Sequence, residues 1–142
     1  MKKMKIFIAI MAVALLLASP VTHTYAQTMT FGTTIDANNN PTDFATTFTI
    51  ASSGSYIYVV VTLPGEETFN THHIQYDIYK NGTYSTAITQ DIDPTWGYCY
   101  KKIIFYSGGD YRIDAYDMDR YNSTTGTYGV WICTGYVTMN LQ

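Results

Sequence analysis

Few residues in this 142-residue chain have the types and spacing that chemistry requires. His72 and His73 are adjacent, and neighbours on a strand point to opposite faces, so their rings do not readily chelate one metal. Their plainer reading is two polar residues at a loop edge. Cys99 and Cys133 are the only thiols, and in an oxidising compartment they are expected to be paired, which removes a Cys–His nucleophile. No glycine-rich phosphate loop, zinc motif or Gly-x-Ser-x-Gly elbow is present. Enzymatic activity is not expected.

Two other groups offer binding chemistry. Glu66 and Glu67, Asp91 and Asp93, and Asp117 and Asp119 fall in three turn-rich segments expected to emerge at one end of the fold. Ca²⁺ takes oxygen ligands gathered from several loops, so Asp91, Asp93, Asp117 and Asp119 are candidate calcium ligands. Their spacing matches no defined calcium loop, and Asp favours turns without any metal; apart from that candidate calcium, no cofactor is expected. Tyrosine is the second group, with fourteen in the chain. By strand parity Tyr79, Tyr116 and Tyr136 share an outer face with Arg112, Asp77 and Gln75, and Tyr56, Tyr58, Tyr98 and Tyr100 share another. Exposed tyrosine supplies rigid amphipathic contact area suited to binding, and it also pairs across strands to stabilise a sheet. Tyr79, Arg112, Tyr116 and Tyr136 are the ligand-binding candidates.

The segment preceding these groups sets the compartment. Lys2, Lys3 and Lys5 precede an apolar run over 6–18, followed by Ser19, Pro20 and a polar stretch ending at Thr24-Tyr25-Ala26. That is the layout of a signal peptide over 1–26, with one domain over 27–142. The run is too short to span a bilayer comfortably and no later stretch is a candidate, so no membrane span is expected after cleavage. A lipid anchor would need a cysteine at the cleavage site, so a lipoprotein is not expected; the chain reads as secreted or periplasmic. Without the three signal-peptide lysines, five basic residues face eleven acidic ones, a net charge of −6. That balance argues against nucleic acid or an anionic membrane as partner. Export makes a Cys99–Cys133 disulfide the simplest use of two cysteines, removing roughly 3–5 kcal/mol of unfolded-state entropy in the chain-entropy account.

Apolar residues recur at period two throughout, and no stretch repeats them at helical spacing, so the chain reads as all-β. Tyr, Thr, Val and Ile suit a pleated, half-buried surface. Beyond an edge strand over 27–35, the expected strands are 44–50, 56–63, 73–80, 83–90, 98–106, 111–116 and 128–141. Asn81-Gly82 is a strong two-residue hairpin signal, and 117–127 reads as a long polar loop. About seven strands at this turn spacing are the signature of an immunoglobulin-like two-sheet antiparallel β-sandwich. The expected sheets are 44–50 with 56–63 and 98–106, and 83–90 with 73–80, 111–116 and 128–141. In that arrangement Phe44 and Trp131 face the core. Cys99 and Cys133 also face the core, from opposite sheets at one end, and Lys101 shares their parity, requiring a bulge or an opening of the sheets.

The stretch Ser107-Gly108-Gly109-Asp110-Tyr111 places a tyrosine just after a tight glycine turn, where immunoglobulin-like domains use a tyrosine to lock the crossing between sheets. Gly109-Asp110-Tyr111-Arg112-Ile113-Asp114-Ala115-Tyr116-Asp117 resembles the G-x-Y-x-h-x-h pattern of secreted bacterial immunoglobulin-like and fibronectin type III-like modules. The resemblance covers the last third of the chain. It departs from antibody-type domains, which carry a cysteine where this chain has Ile113, and it implies a sandwich and a sheet-crossing corner but no activity. The expected role is a secreted, non-enzymatic binding or surface-assembly module, with a protein or glycan partner at the Tyr-rich face or the acidic loop end. A carbohydrate-binding module using the exposed tyrosines is the alternative, and a small hydrolase inhibitor a weaker one.

Overall fold

Alternating apolar and polar residues commit nearly every segment to a strand with one buried face, and the chain has two such faces to bury against each other. A computed structural model describes residues 27–142; the expected signal peptide over 1–26 lies outside them. The strands are β1 (Thr28–Gly32), β2 (Thr34–Ile35), β3 (Pro41–Thr42), β4 (Thr47–Ile50), β5 (Ser55–Thr62), β6 (His73–Lys80), β7 (Thr83–Asp91), β8 (Tyr98–Phe105), β9 (Gly109–Asn122) and β10 (Thr127–Leu141). They form a three-stranded sheet, β1-β5-β8, facing a five-stranded sheet, β4-β10-β9-β6-β7, with β2 and β3 as a small separate ribbon. The protein is an all-β, immunoglobulin-like sandwich.

The core lies between the sheets. Ile57, Val59 and Val61 of β5 meet Ile74, Tyr76 and Ile78 of β6, Ile113 and Ala115 of β9, and Val137 and Met139 of β10, all buried. Tyr76 is enclosed completely, and its hydroxyl donates to Gln90 Oε1 at 3.0 Å, which satisfies the polar end of a buried tyrosine. Asn81 (φ 49°) and Gly82 (φ 80°) both take the left-handed conformation that a two-residue hairpin turn matching strand twist demands, and they join β6 to β7.

The glycine corner crosses between sheets as expected. Among the described residues β8 pairs with β5 alone, while β9 pairs with β6 and β10, so 98–105 and 109–122 are sheet-crossing neighbours. Tyr111 Oη donates to the Ser107 carbonyl at 2.8 Å and lies 3.1 Å from Ser107 Oγ, which also accepts from Lys80 Nζ at 2.8 Å. Gly109 has φ 146°, and a Cβ there would sit 2.9 Å from the Lys80 side chain.

Several sequence expectations are corrected. The segment 44–50 belongs to the five-stranded sheet: β4 runs parallel to β10, from Thr47 opposite Thr138 to Ile50 opposite Leu141, and β1 takes its place beside β5. The switch occurs at one peptide. Ala45 N–H donates to Phe31 O of β1, while Thr46 O accepts from Thr138 N–H of β10. Alternation places Phe48 and Ile50 inward in either sheet, so it does not determine which sheet they join; Phe44 lies before the strand and is exposed. The long loop expected over 117–127 is strand, with only residues 123–126 left as the turn between β9 and β10. Strand β10 carries irregularities between Tyr128 and Val130 and between Trp131 and Cys133. The second inserts Ile132, which flips Trp131 to the outer face while Cys133 stays inward. Lys101 needs no bulge: the β5–β8 register runs unbroken past it. As an edge strand, β8 leaves a half-buried lysine stem a way out to solvent.

Candidate functional site

The outer face of the five-stranded sheet gathers three of the four sequence candidates into one row. Tyr79 of β6 lies opposite Arg112 of β9, which lies opposite Tyr136 of β10. The Arg112 guanidinium stacks over the Tyr79 ring, 3.9 Å from its centroid, and Tyr84 of β7 makes a T-shaped contact with Tyr79 at 5.6 Å. Such cation–π contact suits the planar, weakly hydrated guanidinium. Tyr136 is 68% exposed, and with Tyr79, Arg112, Asp110 and Thr138 it lines a shallow depression of about 520 Å³.

The neighbouring rows hold this arginine in place. Asp114 Oδ2 pairs with Arg112 Nε at 3.3 Å, and Asp114 Oδ1 accepts from Thr134 Oγ1 at 2.7 Å. Thr134 Oγ1 in turn accepts from the indole Nε1 of Trp131 at 3.0 Å. Asp77 stands directly opposite Asp114, a like-charge juxtaposition that would be unfavourable alone; Gln75 Nε2 donates to Asp77 Oδ1 at 2.8 Å. Tyr116, the fourth candidate, lies two residues further along β9, opposite Gln75 and Trp131. Burial raises its pKa first of all, with the Asp114 charge adding to the effect. The face is therefore a band of Tyr, Trp and Arg crossed by a buttressed carboxylate. Trp131 belongs to it and was missed because the bulge that turns it outward leaves no mark in the alternation.

The acidic pole is assembled differently from the expectation. Asp117 is 3% exposed on β9; its Oδ1 accepts from Asp119 N–H at 3.0 Å and its Oδ2 pairs with Arg120 Nε at 2.7 Å. Asp119 accepts from His72 N–H at 2.6 Å, from Thr71 Oγ1 at 3.0 Å, and meets His73 Nδ1 at 2.8 Å. The His72 backbone bond and the His73 bond pull Asp119 down to about 2, and His73 is raised chiefly by its bond to Asp119. Asp91 touches only the far nitrogen of His73, at 3.6 Å. Asp93 accepts from Thr95 Oγ1 at 2.6 Å and Thr95 N–H at 2.9 Å. Glu66 and Glu67 line a separate cleft with Asp117, Arg120 and Trp131. Asp93, Asp117 and Asp119 are engaged by protein donors, and among the described residues no three potential ligands converge to hold a metal ion. The four candidate calcium ligands do not form one site.

Cys99 and Cys133 face the core from opposite sheets, as parity required, but the expected bond between them is not formed; both are free thiols. Cys99 Sγ lies 3.7 Å from Tyr76 Oη. Burial pushes the Cys99 thiol up to about 11 and Cys133 up to about 12, and thiols so far from ionisation are inert.

A further surface was missed. Where the edge strands β7 and β8 of the two sheets come together, Gln90 Nε2 donates across the gap to Tyr100 O at 2.9 Å. Beside that bridge lies a groove of about 750 Å³, with Trp96, Tyr98 and Tyr100 on one side and Asn38–Asn40 on the other. In sequence the asparagine run reads only as a loop.

The fold and these surfaces define a class: an immunoglobulin-like β-sandwich with an aromatic–arginine outer face and, among the described residues, no cluster of three potential metal ligands. No protein-family model matches the chain, and no curated protein matches it in sequence. Among solved structures it is similar to the PmoD soluble domain from Methylocystis sp. ATCC 49242 (Rockwell), with a TM-score of 0.51 at 6% identity over 82% of this chain and 93% of that one. A CARDB domain from Pyrococcus furiosus, solved in complex with di-metal ions, aligns with a TM-score of 0.42 at 15% identity over 83% of this chain and 96% of that one. At such identities the likeness concerns the fold alone.

Proposed function

We propose that this protein is a non-enzymatic, exported binding module that engages a protein partner through the outer face of its five-stranded sheet. The observation that carries the reading is the Tyr79–Arg112–Tyr136 row, with Arg112 stacked at 3.9 Å and braced by Asp114. Tyr, Trp and Arg are the residues most enriched among those that dominate protein–protein affinity, and an arginine already held in place loses little freedom on binding. The signal-peptide layout expected over 1–26 supports a partner outside the cytoplasm, and the acidic balance of 27–142 supports a neutral or basic one. The test is capture from an exported-protein fraction using the wild type, Arg112→Ala and Tyr136→Ala. One defined protein retained in stoichiometric amount by the wild type and lost by both variants is the expected outcome. Equal retention by all three overturns the reading.

A further inference from the structure

We infer that the groove between the Asn38–Asn40 loop and β8 is a binding site for a neutral oligosaccharide, separate from the Tyr79–Arg112–Tyr136 face and independent of its proposed role. The groove combines two chemistries that neutral sugars require together. The C–H-bearing faces of a pyranose are apolar and pack on aromatic rings, while its hydroxyls need groups that both donate and accept. Trp96 is 48% exposed at the rim. Tyr98 and Tyr100 stand beside it, tilted against each other at 6.2 Å, and Tyr100 is braced edge-on by Tyr58 at 5.7 Å. Primary amides supply the other chemistry, since each offers a carbonyl acceptor and two N–H donors.

The loop that carries the amides is already ordered. Asp36 accepts from the N–H groups of Asn38 at 2.8 Å and Asn40 at 2.9 Å, bonds that lower its pKa, the Asn40 bond foremost. Asn39 N–H donates to Asp36 O at 3.0 Å, with Asn39 at φ 63°. The one carboxylate of the loop is thus spent on its backbone, while the side-chain amides of Asn38 and Asn39 make no hydrogen bond among the described residues. Across the groove, Gln90 is fixed at both ends by Tyr76 Oη and Tyr100 O, and Trp96 is pinned through its backbone to Phe69 and Asp93. Among the described residues no charged side chain lines the groove, which selects an uncharged ligand over uronic acids or sulfated glycans. The size also fits, because ligand sites commonly span roughly 300–1,000 Å³.

Trp96 makes the site self-reporting once the second tryptophan, Trp131, is replaced. In a Trp131→Phe background, tryptophan emission is followed on titration with neutral hexasaccharides of β-1,4-glucose, α-1,4-glucose, β-1,4-xylose and β-1,4-mannose, and with oligogalacturonate as the anionic comparison. At least one neutral sugar should shift the emission. Its affinity, read by calorimetry in the native background, should fall at least tenfold in Trp96→Ala and in Asn38→Ala while remaining unchanged in Arg112→Ala. Both altered side chains are exposed, and a thermal melt of each variant verifies folding. The inference is overturned if no neutral sugar binds at millimolar concentration, if oligogalacturonate binds better, or if binding is indifferent to Trp96 and Asn38. Loss in Arg112→Ala alone would move the sugar to the other face and also overturn it. Since the partner test uses Arg112 and Tyr136, either reading can fail without the other.

Discussion

Arg112 and Tyr79 sit directly opposite one another on β9 and β6, and the guanidinium covers the tyrosine ring at 3.9 Å. At a partly exposed site the stacking contributes about 0.5–1 kcal/mol. A double-mutant cycle of Arg112→Ala and Tyr79→Ala, read by urea unfolding, should return a coupling of that size. Arg112→Lys should lose most of it, because a lysine keeps the charge but not the plane. Strict additivity of the two alanine substitutions would remove the pair as a unit.

The His73–Asp119 pair makes stability depend on pH in a defined window. Asp119 is depressed from 3.8 to about 2 in the folded state, so its contribution is present above pH 3.8 and is lost as the pH falls toward 2. His73 is raised above 6.5, so its contribution is complete below pH 6.5 and is lost as the pH rises through the folded value. The difference in melting temperature between wild type and Asp119→Asn should therefore be widest between about pH 4 and 6.5 and narrow on both sides. A difference that stays constant from pH 3 to 9 would show that the two side chains are not coupled.

The buried thiols should be silent in the folded protein. With pKa values pushed up to about 11 and 12, Cys99 and Cys133 should resist iodoacetamide at pH 8, and both should alkylate once the chain is unfolded in guanidinium. Intact mass reads the outcome. Labelling of the native protein would contradict the burial, and an unfolded chain two hydrogens lighter that takes no label until reduced would carry the disulfide instead of the free thiols.

At the corner, Tyr111→Phe removes the donor to the Ser107 carbonyl and leaves that carbonyl unpaired, which should cost about 1–2 kcal/mol in chemical denaturation. Ser107→Ala should cost less, because the principal acceptor is a backbone oxygen that survives the change. Equal losses would mean that the Ser107 hydroxyl, and not the backbone, anchors the corner.

What the amino acids revealed about this fold was local and periodic. The Asn81-Gly82 hairpin needs two residues with positive φ, the Gly109–Tyr111 corner needs a glycine and a hydroxyl, and the alternation of Ile57, Val59 and Val61 needs a buried face; each requirement is written within a few residues. Sheet membership is not. Phe48 and Ile50 alternate identically beside β5 or beside β10, and the choice is made at Ala45 and Thr46 by backbone bonds that any residue can make. The outer-face row was legible because the register of β6 with β9 is unbroken from Ile74 to Lys80, and that of β10 with β9 from Cys133 to Met139. Trp131 was lost to a bulge, which shifts parity by one. The carboxylates misled for a related reason: Asp117 and Asp119 lie in a segment of turn composition, yet that segment pairs with β10, Asp117 opposite Val130 and Asn122 opposite Thr127. The groove lined by Trp96 and the asparagines depends on a loop meeting a strand far along the chain, and nothing in either segment names the other.

The parallel pairing of β4 with β10 has a mechanical consequence. Thr47 opens β4 opposite Thr138, and Leu141 closes β10 opposite Ile50. A force drawing the chain outward before Thr47 and after Leu141 pulls these strands along their length in opposite directions. Every backbone bond of that ladder is then strained at once, whereas an antiparallel hairpin pulled at its open end parts one bond at a time. Loaded at those two points, the ladder resists traction in shear, as a clasp does.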